Sequence, residues 1–332
     1  MPWLTPPPES SWLLAAAPVL ALAVDRVFGE PGLRWHPVAW MGRWLGWAGA
    51  RLAPRADQPR RRSDRRVFWC AALAWCAAAA LVFALAWQLQ AGLLLLPAWL
   101  AALALGLFLK PLLAWAMLRD EVLAVEPALD QSLEVGRAQL ARLVSRDVSG
   151  LDAVQVRESA IESLAENLND SLVAPLFWFA VLGLPGAALF RFANTADAMW
   201  GYRGVRPLDG VPRDWNWAGK WAARADDVLG WLPARLTAVL IGLLGGLLGG
   251  LRGWRVLAAD ARRTPSPNGG WPMGAMALAL GVRLRKPGAY VLNDAGRTPE
   301  AADTLRAGAI GSRTALAAAL LACAGWLGTL GA

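Results

Sequence analysis

Residues Glu158 to Phe179 read ESAIESLAENLNDSLVAPLFWF. Glu158, Glu162, Glu166 and Asp170 recur every four residues, and the chain then runs directly into apolar sequence. A helix turns 100° per residue, so this ladder drifts by about 40° per step and covers roughly 18 Å. One ion cannot be shared by all four. Neighbouring rungs are better placed: Glu162 or Glu166 with Asn169 and Asp170 makes a compact oxygen cluster of the kind that suits magnesium. The alternative is a solvated helix face paired with Arg157 or the arginines before it. Against that alternative, no Lys or Arg lies between Arg157 and Arg191, and acids at the edge of a membrane segment are costly without a partner.

Upstream, SRDVSGLD ends in a Gly turn and Asp152, which predicts a helix capped at Asp152 and running through the ladder. Downstream, the apolar run Leu172 to Phe192 is interrupted by GLPG at 183 to 186, a strong breaker. A turn there puts Asp170 and Asp197 about 14 residues, or roughly 20 Å of helix, from the bend on either arm. That is too short to span a bilayer. The expectation is a re-entrant hairpin that returns NTADAMWGYR to the same face as ENLND.

Composition agrees with a membrane protein. The 332 residues are 56% hydrophobic and 17% charged, with a mean hydropathy of +0.37, outside the usual range of soluble domains. Twenty Trp against two Tyr, with Trp12, Trp69, Trp87, Trp115, Trp231 and Trp326 near the ends of apolar runs, fit indoles at the lipid–water interface. The net charge of +8 comes from arginines between apolar runs, so it reads as a topology signal and a source of anion-binding groups, not as a nucleic-acid surface. Cys70, Cys76 and Cys323 lie inside apolar runs without a CxxC, which supports neither a disulfide framework nor a zinc site. The first 30 residues lack a basic leader and a clear cleavage site, so the first apolar segment is expected to stay.

The expected architecture is all-α: one polytopic integral-membrane domain over residues 1–332, with about four to six membrane segments and amphipathic helices outside the bilayer. Residues 67–117 read as a transmembrane hairpin joined by QLQAG. Before it, Arg26 to Arg66 carries ten arginines against Glu30, Asp57 and Asp64, which places that loop in the cytoplasm. Residues 118–171 form a cytoplasmic helical segment, with Val122, Leu129, Leu133, Leu140 and Leu143 on apolar faces. Residues 172–251 hold membrane segments with polar motifs, ending in the spaced glycines Gly242, Gly246 and Gly250, with Gly245 and Gly249 beside them, suited to close helix packing. Residues 252–313 form a basic cytoplasmic segment, and 314–332 a last membrane helix.

Further polar motifs could carry chemistry. Asn194 and Asp197 share a helical face in FRFANTADAMWGYRG, followed by Tyr202 and Arg203; the alternative is an interfacial helix end anchored in headgroups. Asp226 and Asp227 sit between Arg224 and Arg235, as a metal or ammonium site or as a surface ion-pair cluster. SPNGGWPMG, with Ser266, Asn268, Gly269 and Gly270, has glycines that let backbone N–H groups approach an anion and Pro272 to start a helix; a plain Pro/Gly loop is the alternative. No GxxxxGK[ST] or GxGxxG is present, so a nucleotide has no familiar phosphate loop. His36 is the single histidine, which excludes a His-rich metal site.

Read together, these segments resemble a known family, the integral-membrane adenosylcobinamide-phosphate synthases of cobalamin biosynthesis (CobD/CbiB). The matching residues are DRVFGEP, then HPV and Gly42-Arg43, SRDVSGLD, ESLAENLNDSLVAPLFW, FRFANTADAMWGYR, WAARADDVLGWLPARLTA and SPNGGWPMGAMALALGVRL, in the family's order from about Asp25 to Leu284. The link at Arg206 to Asn216 and the region after Lys286 depart from the pattern. The resemblance implies ATP-dependent amide ligation of an aminoalcohol phosphate, typically (R)-1-aminopropan-2-ol O-phosphate, to the free propionate of adenosylcobyric acid. A carboxylate needs activation before an amine can attack it, most simply as an acyl phosphate, and magnesium would neutralise the transferring phosphate.

On that basis Glu162, Glu166, Asp170 and Asp197 are expected to serve catalysis, with Glu166, Asp170 and Asp197 on Mg²⁺. His36, Asn169, Asn194, Tyr202, Arg203, Arg224, Asp226, Asp227, Ser266, Asn268, Gly269 and Gly270 are expected to bind substrate. The corrinoid is a substrate; membrane lipid and other late cobalamin-pathway membrane enzymes are the expected surroundings, in a multi-pass inner-membrane protein. The competing readings are a transporter whose intramembrane carboxylates form a cation path, a magnesium-dependent transferase acting on a membrane diphosphate, and a non-catalytic membrane sensor. The second lacks DDxxD spacing, since Gly230 stands in the last position.

Overall fold

In the computed structural model, residues 11–58, 63–246 and 250–331 are described. The Pro-rich first eight residues, Arg60, Arg61, Arg62, Gly249 and Ala332 lie outside them.

The amino-terminal part is helical. α1 (Ser11–Ala15) and α2 (Ala17–Phe28) lead to α3 (Pro37–Leu52), and α4 (Asp64–Leu93) is 30 residues long. That length covers about 45 Å, more than a hydrocarbon core. Only 28% of the most apolar window of α4 is buried, so most of it faces outward. The residues of the expected QLQAG linker are the last turns of α4, and the chain reverses instead over Leu94 to Pro97. α5 (Ala98–Leu109) follows, then a short 3₁₀ turn at Lys110–Leu112, then α6 (Trp115–Leu123). The second arm of the expected hairpin is therefore broken after Leu112, at Leu113-Ala114, with a bend of 44°.

α7 (Val125–Gln131), α8 (Leu133–Leu140) and α9 (Ala153–Leu168) make the polar helical segment. Val122 and Leu140 are fully buried, and Leu129, Leu133 and Leu143 pack against the same core, as the periodicity predicts. α9 starts at the expected cap: the Asp152 carboxylate accepts from Gln155 N at 2.8 Å, and the Gln155 side chain accepts from Asp152 N at 2.9 Å. The helix does not stay α-helical through the ladder. A π-turn occupies Asn169–Val173 before α10 (Ala174–Leu182). Such single turns insert one extra residue per turn and re-aim side chains.

α10 and α11 (Leu184–Trp200) pack against each other across Gly183. Gly183 has φ +71°, and a Cβ there would lie 2.3 Å from Gln90 Oε1. That oxygen accepts from Leu184 N at 2.7 Å and caps α11. The chain thus turns where GLPG predicts; neither arm is a membrane span by length and composition.

Two β-hairpins qualify the all-α expectation. β1 (Val205–Leu208) and β2 (Val211–Asp214) pair antiparallel across Asp209-Gly210, both at positive φ, the Asp-Gly signature of a tight hairpin. This is the link at Arg206 to Asn216. It is tied to the end of α3, with Arg213 Nη1 donating to Ala53 O at 2.8 Å. α12 (Lys220–Leu229), α13 (Trp231–Leu244), α14 (Gly250–Ala261) and α15 (Gly270–Leu280) follow, then β3 (Leu284–Lys286) paired with β4 (Tyr290–Leu292), and α16 (Ala301–Gly331).

Residues 252–313, expected as a basic segment, are largely structured. They hold α14, the buried apolar α15, the second hairpin and the first turns of α16, which begins at 301 and not at 314. Its start is pinned by Arg297, bidentate on Asp303 at 2.6 and 2.7 Å. Charged residues at that end hid the helix from an apolarity reading, because helices continue beyond the bilayer. The spaced glycines act as expected at Gly245, where a Cβ would meet Ala279 of α15 at 2.6 Å.

Length and composition support two helices as membrane spans, α4 and α16, or four if the bent pairs α5 with α6 and α7, and α12 with α13, each count as one. Among the described residues the larger count reaches the lower end of the four to six expected, and α10, α11 and α15 are too short to be counted. Of the indoles placed at the interface, Trp12, Trp69 and Trp231 are exposed, whereas Trp115 and Trp326 are core residues, 5% exposed each. One apolar core is built on α2, α5, α9, α10, α15 and α16; a second joins α3, α4, α11 and α12 through Trp75, Phe192, Trp200 and Trp215. The polar residues of interest stand where α9, α11, α12 and the amino end of α15 meet.

Candidate active site

The π-turn makes Asp170 the centre of a hydrogen-bonded group. Asn169 Nδ2 donates to Asp170 Oδ1 at 2.8 Å, and Asn194 Nδ2 of α11 donates to Asp170 Oδ2 at 3.2 Å. Arg191 Nη1 donates to Asp170 O at 3.3 Å. Asn169 is itself held, since the Thr237 hydroxyl of α13 donates to its Oδ1 at 2.9 Å. The Asp170 carboxylate is thereby fixed by amides from two elements.

Asp197 and Asp226 face this group. Asp226 feels the charges of Asp170 and Asp197 and bonds to Asn194, and its Oδ1 is buried without a hydrogen-bond partner. Asp197 Oδ1 occupies the space beside Gly201, where any Cβ would fall 1.8 Å from it. Asp227 lies toward Arg203, and its carbonyl accepts from Asn268 Nδ2 at 2.8 Å. The loop before α15 is locked from the other side: Arg235 donates to Asn268 Oδ1 at 2.8 Å and to Pro267 O at 3.0 Å, and its guanidinium stacks on Trp231 and Trp271.

Glu166 joins the ladder to the loop. A Cβ on Gly269 would meet Glu166 Oε1 at 2.9 Å, so a side chain there would displace the Glu166 carboxylate. Burial raises the Glu166 carboxyl to about 7, reinforced by the neighbouring Asp170 charge. Glu166 nonetheless keeps open surface toward a cavity, whereas Glu162 is 5% exposed. Burial also raises Glu162 to about 7, opposed by Arg146 and reinforced by Glu166. Glu158, one turn further, is buried beside Arg285 at 3.6 Å and stands outside the cluster.

A divalent cation was expected on Glu166, Asp170 and Asp197. Among the described residues no three acidic, His or Cys side chains converge as a ready-made cage. The acids meet in pairs, with an orphaned oxygen on Asp226. That donor set fits a magnesium ion held by one or two carboxylates and completed by substrate phosphate and water.

The CobD/Cbib protein family profile matches residues 18–318. The chain belongs to the CobD/CbiB family, and with it to cobalamin biosynthesis. It is 40% identical over 278 residues, covering 83% of this chain and 86% of its relative, to a protein of Methanothermobacter thermautotrophicus named "Probable cobalamin biosynthesis protein CobD". It is 35% identical over 279 residues to the "Cobalamin biosynthesis protein CobD" of Dehalococcoides mccartyi, covering 83% and 85% of the two chains. For the protein of that name from Chromobacterium violaceum, identity is 39% over 275 residues, covering 80% and 79%. No solved structure matches the chain.

The CobD/CbiB motifs quoted above are the segments that meet here: ENLND, ANTAD, ARADD and SPNGG. Other expected site residues lie elsewhere or are already engaged. His36 caps α3, with Val38 N donating to Nδ1 at 3.3 Å, and its Nε2 is 3.1 Å from Glu30 Oε2, itself 2.9 Å from buried Lys110. It belongs to that ion cluster and not to the acidic group. Tyr202 is covered by Arg206, 3.6 Å from its ring, and Arg224 is exposed. Ser266 Oγ accepts from the N–H groups of Asn268 and Gly269 at 3.1 and 3.4 Å. These two amides, expected to cradle an anion, are thus already satisfied. Arg191, Thr237 and Arg146 were not foreseen as site residues, although all three stand within quoted CobD/CbiB motifs.

Proposed function

We propose that the protein is an adenosylcobinamide-phosphate synthase that ligates an aminoalcohol phosphate, (R)-1-aminopropan-2-ol O-phosphate, to adenosylcobyric acid with ATP, as a multi-pass inner-membrane enzyme. Family membership supports the pathway. The observation that carries the active-site reading is the meeting of four separated motifs on one acidic cluster, through Asn194 on Asp170 and Asn268 on Asp227.

The chemistry balances without another reactant. The terminal phosphoryl group of ATP passes to a propionate oxygen, giving a mixed anhydride and ADP. The amine attacks the carbonyl carbon, phosphate leaves, and the amine nitrogen loses a proton to leave the amide. Two of the three neighbouring acids Asp170, Asp197 and Asp226 would hold Mg²⁺, which when bound supplies positive charge against the transferring phosphoryl group. Asn169 and Asn194 orient Asp170. Glu166 is the acid nearest the loop and the residue placed to receive the amine proton. Arg203, opposite Asp227, is the cation placed for an incoming phosphate.

The test is reconstitution in detergent with adenosylcobyric acid, the aminoalcohol phosphate, Mg²⁺ and ATP, read by mass spectrometry. Amide product is expected, and its absence across a range of nucleotides would end the ligase reading. Asp170→Ala should lower turnover by at least about a hundredfold, the usual cost of losing a catalytic group; full activity would remove Asp170 from the mechanism and leave the ligase reading standing.

A further inference from the structure

A cavity of about 200 Å³ opens beside α9, lined by Arg146, Ser159, Glu162, Glu166, Lys286 and Tyr290 among others. Four of these come from α9 or the loop before it, and two from the β3–β4 hairpin. The cavity brings two cations and two carboxylates together in one small space, and the ions are not spent on each other. Neither Arg146 nor Lys286 makes an ion pair within 4 Å among the described residues; Arg146 donates instead to Ser159 Oγ. Glu162 is 5% exposed, yet its Oε1 has no hydrogen-bond partner. Fixed opposite charges that face a cavity without pairing are prepared for a ligand that carries both signs.

We infer that this cavity binds the aminoalcohol phosphate, with its phosphate on Arg146 and Lys286 and its ammonium on Glu162 and Glu166. The inference rests on the ligase reading above and deepens it. Size selects among that reaction's reactants. The cavity is below the roughly 300–1,000 Å³ that drug-sized ligands need, so it cannot enclose ATP or the corrinoid, while an aminoalcohol phosphate of about ten non-hydrogen atoms fits. Orientation follows from Glu166, which both lines this cavity and senses the charges of Asp170 and Asp197. A phosphate held at the Arg146 and Lys286 end leaves the amine pointing along α9 toward the acidic cluster, where the activated carboxyl would stand. The charges also give selectivity: inorganic phosphate meets only the cations, and aminopropanol meets only the carboxylates.

The full-length protein in detergent tests this by calorimetric titration and by steady-state kinetics. Aminopropanol phosphate should bind at least tenfold more tightly than inorganic phosphate or aminopropanol alone. Arg146→Gln and Lys286→Gln should each raise KM for aminopropanol phosphate tenfold or more, with KM for ATP and for adenosylcobyric acid changed less than twofold. Lys286→Arg should restore most of the loss. Lys286 stands on a surface hairpin, so its variants keep the test open if Arg146→Gln fails to fold. If KM for ATP rises instead, the cavity serves the nucleotide and the assignment is overturned. If the wild type makes amide while both variants keep their KM, the cavity assignment alone falls. If the wild type makes no amide and titration shows no preference for aminopropanol phosphate, both readings fall.

Discussion

Glu162 shows how one side chain sets a pH dependence. Its carboxyl is raised by burial to about 7 from 4.5, on a helix too polar to cross a bilayer. Between those values the folded protein holds a proton that the unfolded chain releases, so stability falls as pH rises through this window and levels off above about 7. Thermal unfolding in detergent from pH 5 to 8 should show this decline, and Glu162→Gln should make it shallower, leaving the share of Glu166, which is raised to the same range; an unchanged slope would remove Glu162 from the dependence. Gly269 gives a second test at this scale. Gly269→Ala would push a methyl against Glu166 Oε1, so turnover should drop by about tenfold while stability changes by only about 1 kcal/mol, the range of a local clash. Paired activity and melting measurements separate the two. Some of this is legible in sequence and some is not. Asp152, Asn169 and Asp170 announce themselves by cap and motif, whereas the cations that share a cavity with Glu162, Arg146 and Lys286, are 16 and 124 residues away, and no local pattern links them to it.

Among the elements, the α10–α11 turn depends on a residue from another helix. Leu184 N has its acceptor in Gln90 Oε1, 3% exposed near the end of α4. Gln90→Leu leaves that N–H buried and unsatisfied, which should cost about 1–3 kcal/mol, seen as a lower melting temperature in the same detergent; no change would mean that the turn finds another acceptor. The ion cluster under α3 makes a stronger case. Lys110 Nζ is 3.3 Å from Asp25 and 2.9 Å from Glu30, at 4% side-chain exposure. Lys110→Ala strands the buried Asp25 and the half-buried Glu30 and should destabilise by about 3–5 kcal/mol. His36→Asn, which retains a capping side chain, should cost far less and leave KM for every substrate unchanged. The GLPG turn and the α9 start could be read locally, from φ-demanding glycine and a capping box. The π-turn, the acceptor role of Gln90 and the early start of α16 could not, because each is decided by what packs against the segment.

Across the whole molecule, the acidic cluster needs its contributing segments on one side of the membrane. With native cysteines replaced, single cysteines at Asp226 and Ser266 should react with an impermeant thiol reagent from the same face of inverted vesicles; opposite faces would break the site apart. The membrane character and the segments that meet were readable from composition and motif order. The number of spans was not, because helices such as α10 and α15 are as apolar as a span but are buried by protein, and hydropathy cannot tell the two environments apart. Glu166 is the one wall common to the acidic cluster and the small cavity beside α9. Whatever charge enters one compartment is therefore felt in the other, and thermodynamic linkage makes that influence mutual: if the small substrate tightens the hold on the large one, the large one returns the same factor. A shared carboxylate of this kind makes the hold on each substrate depend on whether the other is already bound, whichever arrives first.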